Sequence, residues 1–229
     1  MMKAVRRLVL LRHAATAWND ERRLQGTADI PLSAIGATQA ERVGDLFAHT
    51  GTALVLSSPQ SRALATAEAI ACSSGAPLEI HDALREVDIG DWQGLTVEEI
   101  AERYPHDFKK WCSGAEPRRR GGESEESVAD RSAPAALKAL HTLRPGATLV
   151  AVSHAGTLRA MLSRLLGLSP QQRHALGYLH NCHWSTLAVG ETVHLVEHNV
   201  GALPPQSPRV PGNSGRSPVH RFSPQGKGT

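Results

Sequence analysis

Four places in this chain carry residues that could do chemistry: Arg12-His13, Arg62, Glu86 and Ser153-His154. Both histidines follow apolar runs, Leu8-Val9-Leu10-Leu11 and Thr148 to Val152, and precede a helix or loop. Open α/β sheets place ligands at the carboxyl ends of their strands, so both imidazoles should open onto one edge. Two histidines and two arginines make a cationic pocket rich in donors, which suits a phosphoryl group with its charge spread over equatorial oxygens. The planar fork of arginine matches that group. A histidine neutral at its attacking nitrogen could take the phosphoryl group covalently, and nearby cations favour that form by depressing its pKa. Glu86, in Leu84-Arg85-Glu86, is the candidate to protonate the leaving oxygen and later to accept a proton from water. Metal binding is the rival chemistry. No HExxH or clustered His/Asp spacing occurs, and the arginines would repel a cation, so neither a metal nor a cofactor is expected.

Positioning these residues requires strands that end together. The apolar runs Leu8 to Leu11, Ala53 to Leu56 and Thr148 to Val152 alternate with helical patterns, which predicts an α/β fold with a mainly parallel sheet. Ala34 to His49 has Val43, Leu46 and Phe47 at helical spacing, and Ser58-Pro59 reads as the opening of a second helix that runs to about Cys72. Thr96-Val97-Glu98-Glu99 has the form of a capping box, with the helix stopped by Pro105. Ser124 begins another helix that Pro134 should kink, and Gly156 to Leu166 follows the second histidine. Trp184 to Val189 and Val193 to Glu197 read as strands joined by a turn at Gly190-Glu191.

The 229 residues suit one sizeable domain, residues 1–201, followed by a Pro, Ser and Gly-rich tail, residues 202–229, expected to be disordered. The formal charge is +3, yet four cations (Arg209, Arg216, Arg221 and Lys227) lie beyond Glu197, and removing them leaves the body at −1. The basic balance therefore describes the tail and gives no reason to expect nucleic-acid binding. Three widely spaced cysteines fit neither a disulfide framework nor a zinc site, and the apolar run after the basic start is too short for a signal peptide or membrane span. The expected setting is cytoplasmic, with no membrane partner; a homodimer is left open.

In order along the chain, six motifs resemble those of the histidine phosphatase superfamily, also called phosphoglycerate mutase-like. They are Arg12-His13-Ala14-Ala15-Thr16-Ala17-Trp18-Asn19, the loop Arg23-Leu24-Gln25-Gly26 with Asp29 to Ser33, and Ser57-Ser58-Pro59-Gln60-Ser61-Arg62-Ala63. Then come Glu86 with Gly90, Trp92 and Gly94, Gly121-Gly122-Glu123-Ser124, and Val152-Ser153-His154-Ala155-Gly156. The resemblance implies a three-layer sandwich with helices on both faces of the sheet. It implies His13 as the phosphorylated nucleophile, Glu86 as proton donor, and Arg12, Arg62 and His154 as the phosphate clamp. Thr16, Asn19, Gln25, Gly26 and Ala155 are the implied substrate-binding residues. Ala14 and Ala155 stand where many members have glycine; alanine disfavours positive φ but keeps the N–H for a phosphate contact.

The substrate implied is a small phosphate monoester. Leu84 to Thr96 lacks the LNERxYGxLQG-like segment of the mutases, which favours hydrolysis over a mutase dependent on 2,3-bisphosphoglycerate. Gly90 to Thr96 and Asn181-Cys182-His183-Trp184 are also similar to the actinobacterial glucosyl-3-phosphoglycerate phosphatases. A non-catalytic phosphoester-binding protein is the alternative of another class. Tyr104 to Ser124 interrupts the sheet pattern and is the candidate lid; its Arg118-Arg119-Arg120 triplet is either a solvated charge run or a site for a second anionic group.

Overall fold

The computed structural model describes residues 5–117, 119–169 and 171–201, without the side chain of His174. The segment 202–229 and Arg118 lie outside the described residues. Six strands form one sheet in the order β3-β2-β4-β1-β5-β6. They are β1 (Arg6–Arg12), β2 (Thr52–Ser57), β3 (Leu78–Ile80), β4 (Thr148–Ser153), β5 (Trp184–Val189) and β6 (Val193–Val200). Strands β1 to β4 are mutually parallel, whereas at one edge β5 pairs antiparallel with β1 and β6 pairs antiparallel with β5. The helices are α1 (Ala17–Asp20), α2 (Ala34–Phe47), α3 (Ser61–Ser74), α4 (Val97–Arg103), α5 (Pro105–Ser113), α6 (Glu125–Thr142) and α7 (Ala155–Leu165).

Alternation along the central strands explains the layering. Leu8, Leu10, Leu149 and Ala151 face a core shared with α6 and α7. Val9, Leu11, Val150 and Val152 face the opposite core, shared with α2 and α3. Each fully buried aliphatic side chain contributes roughly 1.5–3 kcal/mol, and both faces of β1 and β4 collect that gain along their length. A third, smaller cluster of Val87, Ile89, Trp92, Ile100, Val128 and Ala160, with Tyr104, Phe108 and Trp111 packed against it, lies away from the sheet.

Several local expectations are corrected. Pro59 does not open α3; Gln60 is its N-cap, because the chain first leaves β2 through Ser58, whose N–H bonds the Val152 carbonyl. Pro105 ends α4 and also starts α5 at the first helical position, where its missing N–H costs nothing. Leu46 is exposed, because the buried stripe of α2 runs through Gly36, Ala40, Val43 and Phe47 and leaves Leu46 on its margin. Strand β3, only three residues long, had no pattern strong enough to announce it, and Pro134, where a kink is expected, lies inside α6. The Ser124 cap, the Thr96 capping box and the late hairpin occur as read. Among the described residues, no helix is long and apolar enough to cross a membrane.

Helix α2 is pinned to the loop after β1. Ser33 donates its N–H to the Ala15 carbonyl at 3.0 Å, Gln39 accepts the Ala15 N–H at 2.9 Å, and a Cβ on Gly36 would collide with that same carbonyl. Gly36→Ala should therefore destabilise the protein by at least about 1–3 kcal/mol. A thermal melt that matches the wild type would refute this reading of the contact.

Candidate active site

Parallel register brings the two histidines together. Arg12 pairs with Ser153 at the ends of β1 and β4, so His13 and His154 leave adjacent strands at the same level. Their ring centroids are 5.1 Å apart, and both side chains are buried. His13 Nδ1 lies 2.7 Å from the Ala14 carbonyl, which can only accept, so Nδ1 carries the proton and Nε2 holds the free lone pair. His154 has the opposite tautomer: its Nδ1 accepts from Arg62 Nε at 3.2 Å, which leaves Nε2–H to donate to Ser58 Oγ at 2.8 Å. Burial, then Arg62 and Arg12, push His13 well below the ordinary 6.5; the bond to Ala14 only partly opposes this. His154 is lowered by burial first, then by Arg62, His13, Arg12 and Arg131.

Arg62 is fully buried on the first turn of α3. Besides His154 it donates to the Ala28 carbonyl at 2.7 Å and the Gly26 carbonyl at 3.0 Å, which leaves two of its five N–H groups for a ligand. Arg12 donates to the Leu179 carbonyl at 2.7 Å, while its buried Nε has no partner among the described residues. Burial lowers its pKa to about 10, with Glu86 opposing and Arg62 reinforcing, so it stays cationic at neutral pH. Two like charges held beside two neutral imidazoles are costly unless an anion joins them.

Glu86 lies at the N-terminus of α7. Its Oε1 accepts from Val87 N and Thr157 N, both at 2.9 Å, and from Thr157 Oγ1 at 3.1 Å. Among the described residues Oε2 accepts from Gly156 N alone, at 3.2 Å, and is the freer oxygen. Glu86 is thus tied to the residues just after His154, and Arg62 to His154 itself, which brings His13, His154, Arg62 and Glu86 together, with Arg12 adjoining His13 at the end of β1. Among the described residues, no group of three or more His, Cys, Asp or Glu is placed to hold a metal.

This arrangement has known counterparts. The description "Histidine phosphatase superfamily (branch 1)" matches residues 8–200. The chain belongs to that superfamily. A glucosyl-3-phosphoglycerate phosphatase of Mycolicibacterium vanbaalenii is 38% identical over 193 residues, 80% of this chain and 84% of the relative. Phosphoserine phosphatase 1 of Hydrogenobacter thermophilus is 36% identical over 165 residues, 71% of this chain and 77% of its own. The solved structure of a mycobacterial glucosyl-3-phosphoglycerate phosphatase aligns with a TM-score of 0.80 at 32% identity, covering 86% of this chain and all of that one.

In this histidine phosphatase the other expected residues line the loops around the pocket. Thr16 and Asn19 form a reciprocal capping box on α1, and Asn19 Oδ1 also accepts from Asn181 Nδ2 at 3.2 Å. Gly26, at φ +52°, turns its carbonyl toward Arg62 and Gln60, and a Cβ there would strike Ile89. Gln25 is buried with its Oε1 unpartnered among the described residues. Neither Ala14 nor Ala155 needs positive φ, so alanine costs no backbone strain at either place. The Ala14 N–H does not await a phosphate, however: it donates to Thr66 Oγ1 at 3.0 Å.

Sequence reasoning passed over the residues that hold this machinery. Gln60 bridges two loops, donating to the Gly26 carbonyl and accepting the Glu86 N–H at 2.6 Å. Asn181 Nδ2 donates to the His13 carbonyl at 2.9 Å. Arg131 on α6 forms a two-pronged pair with Glu123, 2.9 Å on each side, and donates to the carbonyls of Ala83, Arg85 and Glu86. Glu123 also accepts the Asp88 N–H at 3.0 Å; although burial opposes it, the bonds from Arg131 and Asp88 hold its carboxyl below the ordinary range. The Gly121-Gly122-Glu123-Ser124 motif was the one signal of this network, and nothing in the spacing pointed to Arg131.

Arg131→Met should lower kcat by about 10- to 100-fold by letting Glu86 drift, a cost typical of misplacing a reacting group by about 1 Å. Unchanged turnover in a folded variant would show that Glu86 needs no such clamp. Both buried histidines bind protons less readily folded than unfolded, so their stability contribution is present above about 6.5 and lost as pH falls below it. Urea unfolding at about pH 7.5 and pH 5.5 should show a larger loss for wild type than for His154→Gln. Equal losses would refute it.

Proposed function

We propose that the protein hydrolyses a small phosphate monoester through a phosphohistidine at His13 Nε2. The observation that carries this reading is the pair of buried imidazoles with complementary tautomers, one with a free lone pair, set against Arg12, Arg62 and Glu86. In the first step His13 Nε2 attacks phosphorus as the ester P–O bond breaks, and Glu86 gives a proton to the departing alkoxide. In the second, water attacks the phosphohistidine, the P–N bond breaks, and the proton of that water returns to Glu86. The enzyme ends as it began, with an alcohol and inorganic phosphate released. Arg12 and Arg62 neutralise charge on the equatorial oxygens, and the buried setting strengthens their attraction. We assign His154, whose Nε2–H meets Ser58 Oγ, to the same phosphate clamp. Similarity to glucosyl-3-phosphoglycerate phosphatases supports a sugar or phosphoglycerate ester as substrate, glucosyl-3-phosphoglycerate among them.

A screen of phosphate monoesters with EDTA, with and without 2,3-bisphosphoglycerate, tests the reading. Phosphate should be released without metal or bisphosphoglycerate, and the enzyme quenched in alkali should keep a phosphoryl label that acid removes. His13→Ala should lose activity toward p-nitrophenyl phosphate by at least about a thousandfold. Equal hydrolysis by the two would sink the mechanism, and isomerised product in place of phosphate would make the enzyme a mutase. We also propose that residues 1–201 suffice for catalysis, so that removing 202–229 leaves kcat unchanged.

A further inference from the structure

Two successive peptides that follow the nucleophile are pinned by side chains from three separate elements. The peptide between His13 and Ala14 is held at both ends: its carbonyl accepts from Asn181 Nδ2 at 2.9 Å, and its N–H donates to Thr66 Oγ1 at 3.0 Å. The N–H of the next peptide, on Ala15, donates to Gln39 Oε1 at 2.9 Å. The remaining polar group of the pair is the Ala14 carbonyl, which accepts the Nδ1–H of His13 at 2.7 Å. Gln39 comes from α2, Thr66 from α3 and Asn181 from the loop before β5, and all three side chains are buried. The steps written for hydrolysis give none of them a task.

The pins are themselves anchored. Thr66 Oγ1 spends its proton on the Arg62 carbonyl at 2.8 Å, so toward Ala14 it can only accept. Asn181 Nδ2 also meets Asn19 Oδ1 at 3.2 Å. Cys182, at φ +56°, takes a backbone conformation uncommon for a residue with a Cβ, and its N–H reaches the Arg12 carbonyl at 3.1 Å. That turn presents the Cys182 N–H and the Asn181 side chain to consecutive carbonyls, those of Arg12 and His13. Strain of this kind persists where the surroundings over-determine it, and here the surroundings include the backbone of the nucleophile.

A neutral imidazole carries one proton, and the bond made by one ring nitrogen decides which nitrogen holds it. The Ala14 carbonyl can leave Nδ1 only if these peptides turn, and turning them breaks buried hydrogen bonds to Asn181, Thr66 or Gln39. We propose, resting on the phosphatase reading, that Gln39, Thr66 and Asn181 are positioning residues for the nucleophile: they hold the Ala14 carbonyl against Nδ1 and so keep the attacking lone pair on Nε2. An imidazole released from that carbonyl is free to carry its proton on Nε2, where it blocks attack on phosphorus.

Long-range proton–nitrogen NMR spectra of protein with isotopically labelled histidine, recorded without substrate, distinguish the two neutral tautomers, and His13→Gln assigns the His13 signals. Wild type should show His13 with its proton on Nδ1 alone. Thr66→Val, Asn181→Leu and Gln39→Leu should each bring in the Nε2–H form and lower kcat by about 10- to 100-fold, the cost of misplacing a reacting group by about 1 Å. Inhibition by inorganic phosphate should stay near the wild-type value, because Arg12, Arg62 and His154 are retained. Thr66→Ser, which keeps the hydroxyl, should restore both tautomer and turnover, and Thr66→Ala serves if the valine variant does not fold. A proton that stays on Nδ1 in every folded variant overturns the positioning role, whatever happens to turnover. A wild type that releases no phosphate from p-nitrophenyl phosphate overturns the phosphatase reading instead, and the spectra, which need no activity, tell the two failures apart.

Discussion

Arg12 stands opposite Ser153 in the parallel ladder between β1 and β4, and the chemistry of the pocket inherits that register. A slip of one residue would exchange the two faces of β1, exposing the Leu8 and Leu10 set to the wrong core and carrying His13 away from His154. Both cores hold the register, since Leu8, Leu10, Leu149 and Ala151 on one face and Val9, Leu11, Val150 and Val152 on the other are each matched to their own helix pair. The same burial that stabilises the sheet therefore sets a 5.1 Å separation between the imidazoles.

That rigid base supports an arrangement unfavourable in itself. Buried ions cost several kcal/mol each unless compensated, and here Arg62 is buried beside Arg12 and two imidazoles. Carbonyls of Gly26, Ala28 and Leu179 absorb some of the donors. What they leave is an excess of positive charge that a dianionic phosphoryl group relieves. Keeping the histidines neutral follows from the same crowding: burial and the arginines both disfavour a further proton on either ring. The crowding that leaves positive charge unspent thus also keeps the His13 ring neutral.

Glu86 is held differently. No strand carries it; the short turn after β3, the α7 N-terminus, Gln60 and the Arg131–Glu123 pair converge on it from separate parts of the chain. The small cluster around Trp92 packs beside it, tying α4 and α5 to the flanking Val87 and Ile89. The position of the Glu86 carboxyl therefore depends on contacts from several parts of the chain at once.

Much of this was legible in the residue order. Apolar runs ending in Arg12-His13 and Ser153-His154, with Arg62 and Glu86 between them, were enough for a parallel sheet and a phosphoryl-transfer pocket, because strand burial and charge complementarity are written in residue types and spacing. The Thr96 and Ser124 caps were equally local, each a side chain reaching its own helix's first turn. Contacts between distant segments were not legible. Thr66 on the Ala14 N–H, Asn181 on the His13 carbonyl and Arg131 on Glu123 each join elements whose distance in sequence says nothing of their distance in space. The sequence by itself determined which groups could do chemistry; the packing of the two cores and the cap decided their tautomers and their partners, since those depend on where remote backbone groups come to lie.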